Sequence, residues 1–177
     1  TAEDEAIDIP ARLEELVAHL KEETERLGLP MPRFLMEPGR SIVADAGMTL
    51  YTVGSVKRIP GYKQYAAVDG GMTDNPRYAL YQSRYTVYHA HKSGSLERFD
   101  VVGRCCESGD IIQPGVELPG DTCRGDLLAV CTTGAYNYSM ASNYNRLPRP
   151  AVVMLTPDRI YEAVRRETFA DLTALDL

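Results

Sequence analysis

The sequence contains no apolar run approaching the ~20 residues that a helix needs to cross a bilayer, so no membrane-spanning helix is expected. Basic blocks are missing too. Its 19 Lys and Arg are outnumbered by 25 Asp and Glu, and the net charge of −6 removes the electrostatic footprint of a nucleic-acid binder. Cys105, Cys106, Cys123 and Cys131 include no C-x-x-C pair, and no His pair stands at zinc spacing, so no metal site is expected. The opening residues, "TAEDEAIDIP", are acidic and unlike a secretory or transit peptide, which with the cysteine usage points to a soluble cytoplasmic protein. Repeats, low-complexity tracts and flexible linkers are also absent.

What is present suits a folded domain: 177 residues of which 44% are hydrophobic can support a core. From Pro10 to Gly28, apolar side chains at Leu13, Leu16, Val17, Leu20 and Leu27 mark one face of a helix. His19 lies on it with no metal-binding partner one turn away, so it reads as a surface residue. "PRFLMEPGR" at 32–40 reads as a short buried strand ending in a turn, and "SIVADAG" as the opening of a second helix. Beyond Met48 the pattern is of strands: "MTLYTVGSVKRI", "KQYAAVDGG", "RYTVYHAH", "ERFDVVGRCC", "GDLLAVCTTGAY" and "AVVMLTP". "RRETFADLTALDL" then reads as a short terminal helix. The fold class expected is mainly β with an α/β N-terminal tail, the junction falling between residues 46 and 47. A lone helix, strand and helix cannot cover their own edges, so residues 1–46 read as the tail of something larger.

Four loop stretches place charged and aromatic residues beside glycines. In "EPGRS", Gly39 permits a close backbone turn and Arg40 offers a planar fork for carboxylate or phosphate, although an ordinary strand-to-helix turn reads the same way. In "DNPRYALY", Arg77 and Tyr81 are four apart and would project from one side of a helical turn, with a solvated arginine as the plainer alternative. "GAYNYSMASNYN" holds Tyr136, Tyr138 and Tyr144, suited either to an anion or to packing between domains. "RCCESGD" sets two thiols beside two carboxylates. Cys105 and Cys131 read as small core residues in strands, and strand alternation would turn Cys106 to the opposite face from Cys105.

Taken in order, "EPGRSIVADAG", "VDGGMTDNPRYALY", "CCESGD", "GDLLAV", "TGAYNYSMASNYN", "RPRPAVV" and "RRETFADL" resemble the signatures of the pyridoxal-phosphate-dependent decarboxylases of the alanine-racemase-like fold, and within them the diaminopimelate decarboxylases. The resemblance runs from about residue 34 to the end. It implies a homodimer of two-domain subunits, each a (β/α)8 barrel holding pyridoxal 5'-phosphate plus a C-terminal β-barrel-like domain of Greek-key type. This chain would supply the last helix and strand of the barrel (1–46) and the β-domain (47–177). By the resemblance, Gly39 and Arg40 meet the cofactor phosphate and substrate, Arg77 and Tyr81 bind the substrate carboxylate, and Tyr136 lies near cofactor and substrate. Cys106 would act catalytically, and Glu107 would hold the distal ammonium of an amino acid substrate, both in the partner subunit's site. The reaction implied makes L-lysine and carbon dioxide from meso-2,6-diaminopimelate. Alternatives are another amino acid or a carboxylated polyamine precursor as substrate, or a non-catalytic regulatory β-domain. The family's Schiff-base lysine, stacking histidine and Gly-rich phosphate loop correspond to positions ahead of Thr1, and Lys57 and Lys63 match none of them. A catalytically inactive fragment is therefore expected of this chain alone.

Overall fold

A computed structural model describes residues 7–177. They fall into two compact units, which divide between Pro38 and Gly39.

In the first unit, α1 (Ile9–Arg26) starts where the Asp8 side chain accepts the Ala11 N–H at 3.1 Å, with Pro10 in the first turn, where no N–H is needed. It ends at Leu27, and Gly28 follows at φ +66°, a left-handed conformation that glycine enters without steric cost. The strand expected at 32–40 does not form, and Phe34, Leu35 and Met36 are exposed. Pro30, Pro32 and Pro38 have no N–H to give, and no described strand pairs with this stretch, so extended backbone gains nothing from a ladder.

The second unit opens with α2 (Arg40–Val43), the helix expected from "SIVADAG", running into a 3-10 turn at Ala44–Ala46. Its strands are β1 (Met48–Arg58), β2 (Gln64–Val68), β3 (Val87–His89), β4 (Leu96–Val102), β5 (Ile111–Pro119) and β6 (Leu127–Cys131). They form one sheet in the order β3-β6-β1-β2-β4-β5, antiparallel except for the parallel pair β2–β4. The two end strands, β3 and β5, come into contact, and the Tyr85 N–H donates to Gln113 Oε1 at 2.8 Å across the gap. The sheet thus curls into a nearly closed barrel, which leaves little free edge.

Alternation places the core. Along β1 Tyr51 and Val53 turn inward while Met48 and Leu50 turn outward, and β6 does the same with Leu128 and Val130. Val53, Ala66, Phe99, Val101, Ile112, Leu118, Leu128 and Val130 are fully excluded from solvent. Burying a side chain the size of Phe99 or Leu128 contributes about 2–3 kcal/mol each. Short helices α3 (Arg77–Tyr81) and α4 (Asn137–Met140) sit in the loops after β2 and β6. A separate hairpin, β7 (Val152–Leu155) with β8 (Ile160–Val164), precedes α5 (Phe169–Thr173), the terminal helix expected from the sequence.

Two strands were not legible as such: β5, which contains Pro114 and Gly115, and β8. In addition β4 stops at Val102, so Cys105 and Cys106 lie in a loop and strand alternation does not orient them. Cys105 is half-buried and Cys106 exposed.

Candidate functional site

The Gly39–Arg40 turn is fastened to the loop that follows β6. The Gly134 N–H donates to Ala44 O at 2.9 Å and the Thr133 N–H to Gly47 O at 3.0 Å, and a side chain on Gly134 would strike the Val43 carbonyl. Glycine at 134 therefore lets the two backbones touch. The contact carries Arg40 to the end of β6, where its Nη2 donates to Thr132 O at 3.2 Å and its guanidinium lies 5.8 Å from the centre of the Tyr85 ring. Arg40 Nη1 is buried and has no hydrogen-bond partner.

Tyr136 follows in the same loop at φ +70°, a conformation few non-glycine residues hold without support. Its hydroxyl packs against Gly39 so closely that a Cβ at position 39 would collide with it. Arg77, brought in at the start of α3, lies with its guanidinium 5.4 Å from the Tyr136 ring centre and 5.0 Å from that of Tyr81. Its Nη1 is 3.7 Å from Met140 Sδ, and its Nε is buried and unpartnered. Gly39, Arg40, Arg77, Tyr81 and Tyr136, singled out one by one in the sequence, thus belong to one region of the β unit. Two aromatic faces flank a guanidinium that retains unused donor capacity, an arrangement that can receive a carboxylate or phosphate.

Cys106 and Glu107 stand on the loop between β4 and β5. Both are exposed, and Glu107 bonds within its own loop, accepting the Gly109 N–H at 3.2 Å and the Ser108 hydroxyl at 3.3 Å. Those bonds hold its carboxyl below the usual carboxylate range, so it is an anion at neutral pH, available to an ammonium group. The Tyr144 hydroxyl reaches it at 3.5 Å. Cys105, the neighbouring thiol, is pushed up by burial and by Asp110, which keeps it in the unreactive protonated form.

Sequence reasoning passed over the carboxylates behind the site. The Asp74 carboxylate accepts the Tyr51 hydroxyl and, at 2.8 Å, the Gly71 N–H. Burial pushes its carboxyl up, and burial together with the neighbouring Asp74 pushes the Tyr51 hydroxyl up as well. Asp110 is buried and binds backbone on two loops. Asn137, at the start of α4, is buried with neither its amide oxygen nor its nitrogen hydrogen-bonded. The available signal was the second carboxylate of "RCCESGD", to which the sequence reading gives no role.

Residues 16–134 match the family model described as pyridoxal-dependent decarboxylase, C-terminal sheet domain. The chain is 49% identical to the diaminopimelate decarboxylase of Bacillus subtilis (strain 168), an alignment that covers 100% of this chain and 40% of that protein. Among solved structures it is similar to a diaminopimelate decarboxylase from M. jannaschii in co-complex with L-lysine, with a TM-score of 0.86 and 32% identity over 99% of this chain and 40% of that one. The likeness to the lysine/ornithine decarboxylase of Vibrio vulnificus complexed with cadaverine is weaker, with a TM-score of 0.60 and 27% identity over 74% of this chain and 35% of that one. The chain therefore spans about 40% of the length of the diaminopimelate decarboxylases it matches. By its sheet domain and by these relatives, the chain belongs to the pyridoxal-dependent decarboxylases.

Proposed function

We propose that this chain is the substrate-recognising C-terminal part of a diaminopimelate decarboxylase, which converts meso-2,6-diaminopimelate to L-lysine and carbon dioxide. The observation that carries the reading is the guanidinium of Arg77 between the Tyr81 and Tyr136 rings, with a buried Nε left unpaired, close to the region where Arg40 also keeps a buried unpaired nitrogen. A buried cationic donor without a partner is costly, and a bound anion removes that cost. The substrate has a carboxylate at each end. After one leaves as carbon dioxide, the other still needs a fork to hold it.

The residues fit a phosphate-bearing cofactor on the same ground: the absent side chain at Gly39 lets the Tyr136 hydroxyl, a donor to anionic oxygen, stand directly against the turn beside Arg40. Pyridoxal phosphate, when bound, supplies the electron sink that lets a carboxylate depart from the α-carbon. The chain's own residues do the rest of the work assigned to them here. Arg77, with Tyr81 behind it, orients the distal carboxylate, and Arg40 and Gly39 receive anionic oxygens beside Tyr136. Glu107, held ionised, pairs with the distal ammonium. The carbon that loses its carboxylate must take up a proton, and Cys106 is the exposed thiol assigned to deliver it. On the resemblance to the diaminopimelate decarboxylases, we assign Cys106 and Glu107 to the site of a second subunit in a homodimer. Four free thiols suit a reducing, cytoplasmic setting.

Steady-state kinetics of the full-length protein test the assignment. Its kcat/KM on meso-diaminopimelate should exceed that on ornithine or on a carboxylated polyamine precursor by about a hundredfold or more, because a site built to bind a distal carboxylate leaves its donors unpaired with substrates that lack one. A preference for either competitor would overturn the substrate, and no decarboxylation of any of them would overturn the reaction.

A further inference from the structure

Asp110 closes the "CCESGD" loop and is 4% exposed, yet its two carboxylate oxygens serve two different loops. Oδ1 accepts the Met72 N–H at 2.6 Å, and Oδ2 accepts the Cys105 N–H at 2.6 Å. The loops also touch directly, the Arg104 N–H donating to Gly70 O at 3.2 Å. Gly71 and Gly103 leave the space the carboxylate fills, since a Cβ on either would run into it. On its own loop Asp110 donates its N–H to Glu107 O at 3.1 Å and accepts the Gly103 N–H at its carbonyl at 2.8 Å.

Each loop leads to functional side chains. From Met72 the chain passes Asp74, which fixes the Gly71 N–H and the Tyr51 hydroxyl, and enters α3 at Arg77. The Ser142 N–H donates to Thr73 O at 2.7 Å, which ties the same loop to the segment after α4, the helix that follows Tyr136. From Cys105 the chain passes straight to Cys106 and Glu107. One buried carboxylate thus stands between the two groups of residues. A neutral side chain would fill the space at lower desolvation cost. A carboxylate is needed where two N–H groups from separate loops must meet at fixed distance through two charge-assisted bonds.

We infer that Asp110 is a positioning residue that holds the Cys106–Glu107 loop in fixed relation to Arg77 and Tyr136. The inference rests on the proposed function in one respect: if Cys106 and Glu107 complete the neighbouring subunit's site, Asp110 mechanically links one active site to the other.

The test uses the full-length protein and Asp110→Asn, which keeps the side chain's shape but offers one acceptor oxygen where two are needed. Amide exchange at Met72, at Cys105 or at both should rise by about tenfold or more while Val53 and Leu128 in the sheet keep their protection. Turnover per bound cofactor should fall by about tenfold or more, with cofactor affinity held within about twofold, since misplaced groups act on the chemical step. Unchanged exchange at both amides, or unchanged turnover per bound cofactor, overturns the inference. Loss of protection across the whole sheet would make Asp110 a general stabilising residue and overturns it as well. Gly103→Ala repeats the test with the charge retained, because its Cβ must displace the carboxylate, and it decides the matter if Asp110→Asn does not fold. An enzyme inactive on diaminopimelate would refute the proposed function, while the exchange pattern would still decide the role of Asp110.

Discussion

Arg77 is fixed on three sides, by the Tyr81 ring, the Tyr136 ring and Met140 Sδ, so its guanidinium has little freedom left to lose when an anion arrives. Lysine at this position would keep the charge but neither the planar stacking nor the two-pronged donor face. In the full-length enzyme Arg77→Lys should therefore raise KM for diaminopimelate by about tenfold to a hundredfold, the range for a lost charge-assisted fork, with cofactor affinity nearly unchanged. Equal weakening of both, measured by kinetics and by cofactor absorbance titration, would remove Arg77 from the substrate carboxylate. Such residues were conspicuous in the sequence because arginines and tyrosines crowd its glycine-bounded loops. Asp110 and Asn137 were not, since one polar residue in a loop looks the same whether it is buried or solvated. The contrast between Cys105 and Cys106 was anticipated, but for the wrong reason. Burial differs between them because the loop folds Cys105 onto Asp110, not because a strand alternates.

At the scale of elements, the chain segments flanking the β7–β8 hairpin are joined by Arg146–Asp176 at 2.9 Å and by Arg149–Glu167. Arg149 donates to Glu167 through Nε at 2.7 Å and through its backbone N–H at 2.8 Å, while Asn143 adds a third bond at 2.7 Å. The Arg149 side chain, its N–H and Asn143 together hold the Glu167 carboxyl down to about 2. A carboxyl depressed in the folded state stabilises above its unfolded value and loses that contribution as pH falls through the folded one. Glu167→Gln should therefore lower the Tm by about 2–4 °C near neutral pH. The gap between variant and parent should narrow below about 4.5 and close near about 2. A pH-independent gap in thermal unfolding followed by circular dichroism would show that the pair acts by shape alone. Period-2 alternation made β1, β2 and β6 readable, whereas β5 was hidden by Pro114 and Gly115. There the ladder is interrupted and the Gly115 N–H turns to Asp100 Oδ1 at 2.8 Å, with Gly115 at φ +69°, so a turn-like sequence lies inside a continuous strand. The stretch at 32–40 failed in the opposite direction. Its apolar residues look like a strand, but strands exist only as pairs.

For the whole molecule, the sheet domain is self-sufficient in its core but not in its chemistry. Its lysines in and after the β1–β2 hairpin are otherwise engaged or exposed: Lys63 holds Asp100 at 2.6 Å and Lys92 holds Asp126 at 2.7 Å, while Lys57 lies exposed on β1. The compact β unit begins at Gly39, ahead of the change in sequence pattern near residue 47, because Gly134 and Thr133 bind the 44–47 turn to the sheet domain. No pattern within residues 39–46 could announce contacts made with residues ninety positions away. Under the proposed function one subunit feeds two active sites, Arg77 and Tyr136 in its own and Cys106 and Glu107 in its neighbour's. The most direct measurement mixes full-length Cys106→Ala subunits with subunits lacking the cofactor-binding lysine, each inactive as a homodimer, and records carbon dioxide release from diaminopimelate. One site of each mixed dimer then unites an intact lysine with an intact thiol from the other subunit, and activity should return to about half that of the parent per mixed dimer. Mixed dimers that form and stay inactive would contradict the claim and place Cys106 in its own subunit's site or outside the reaction.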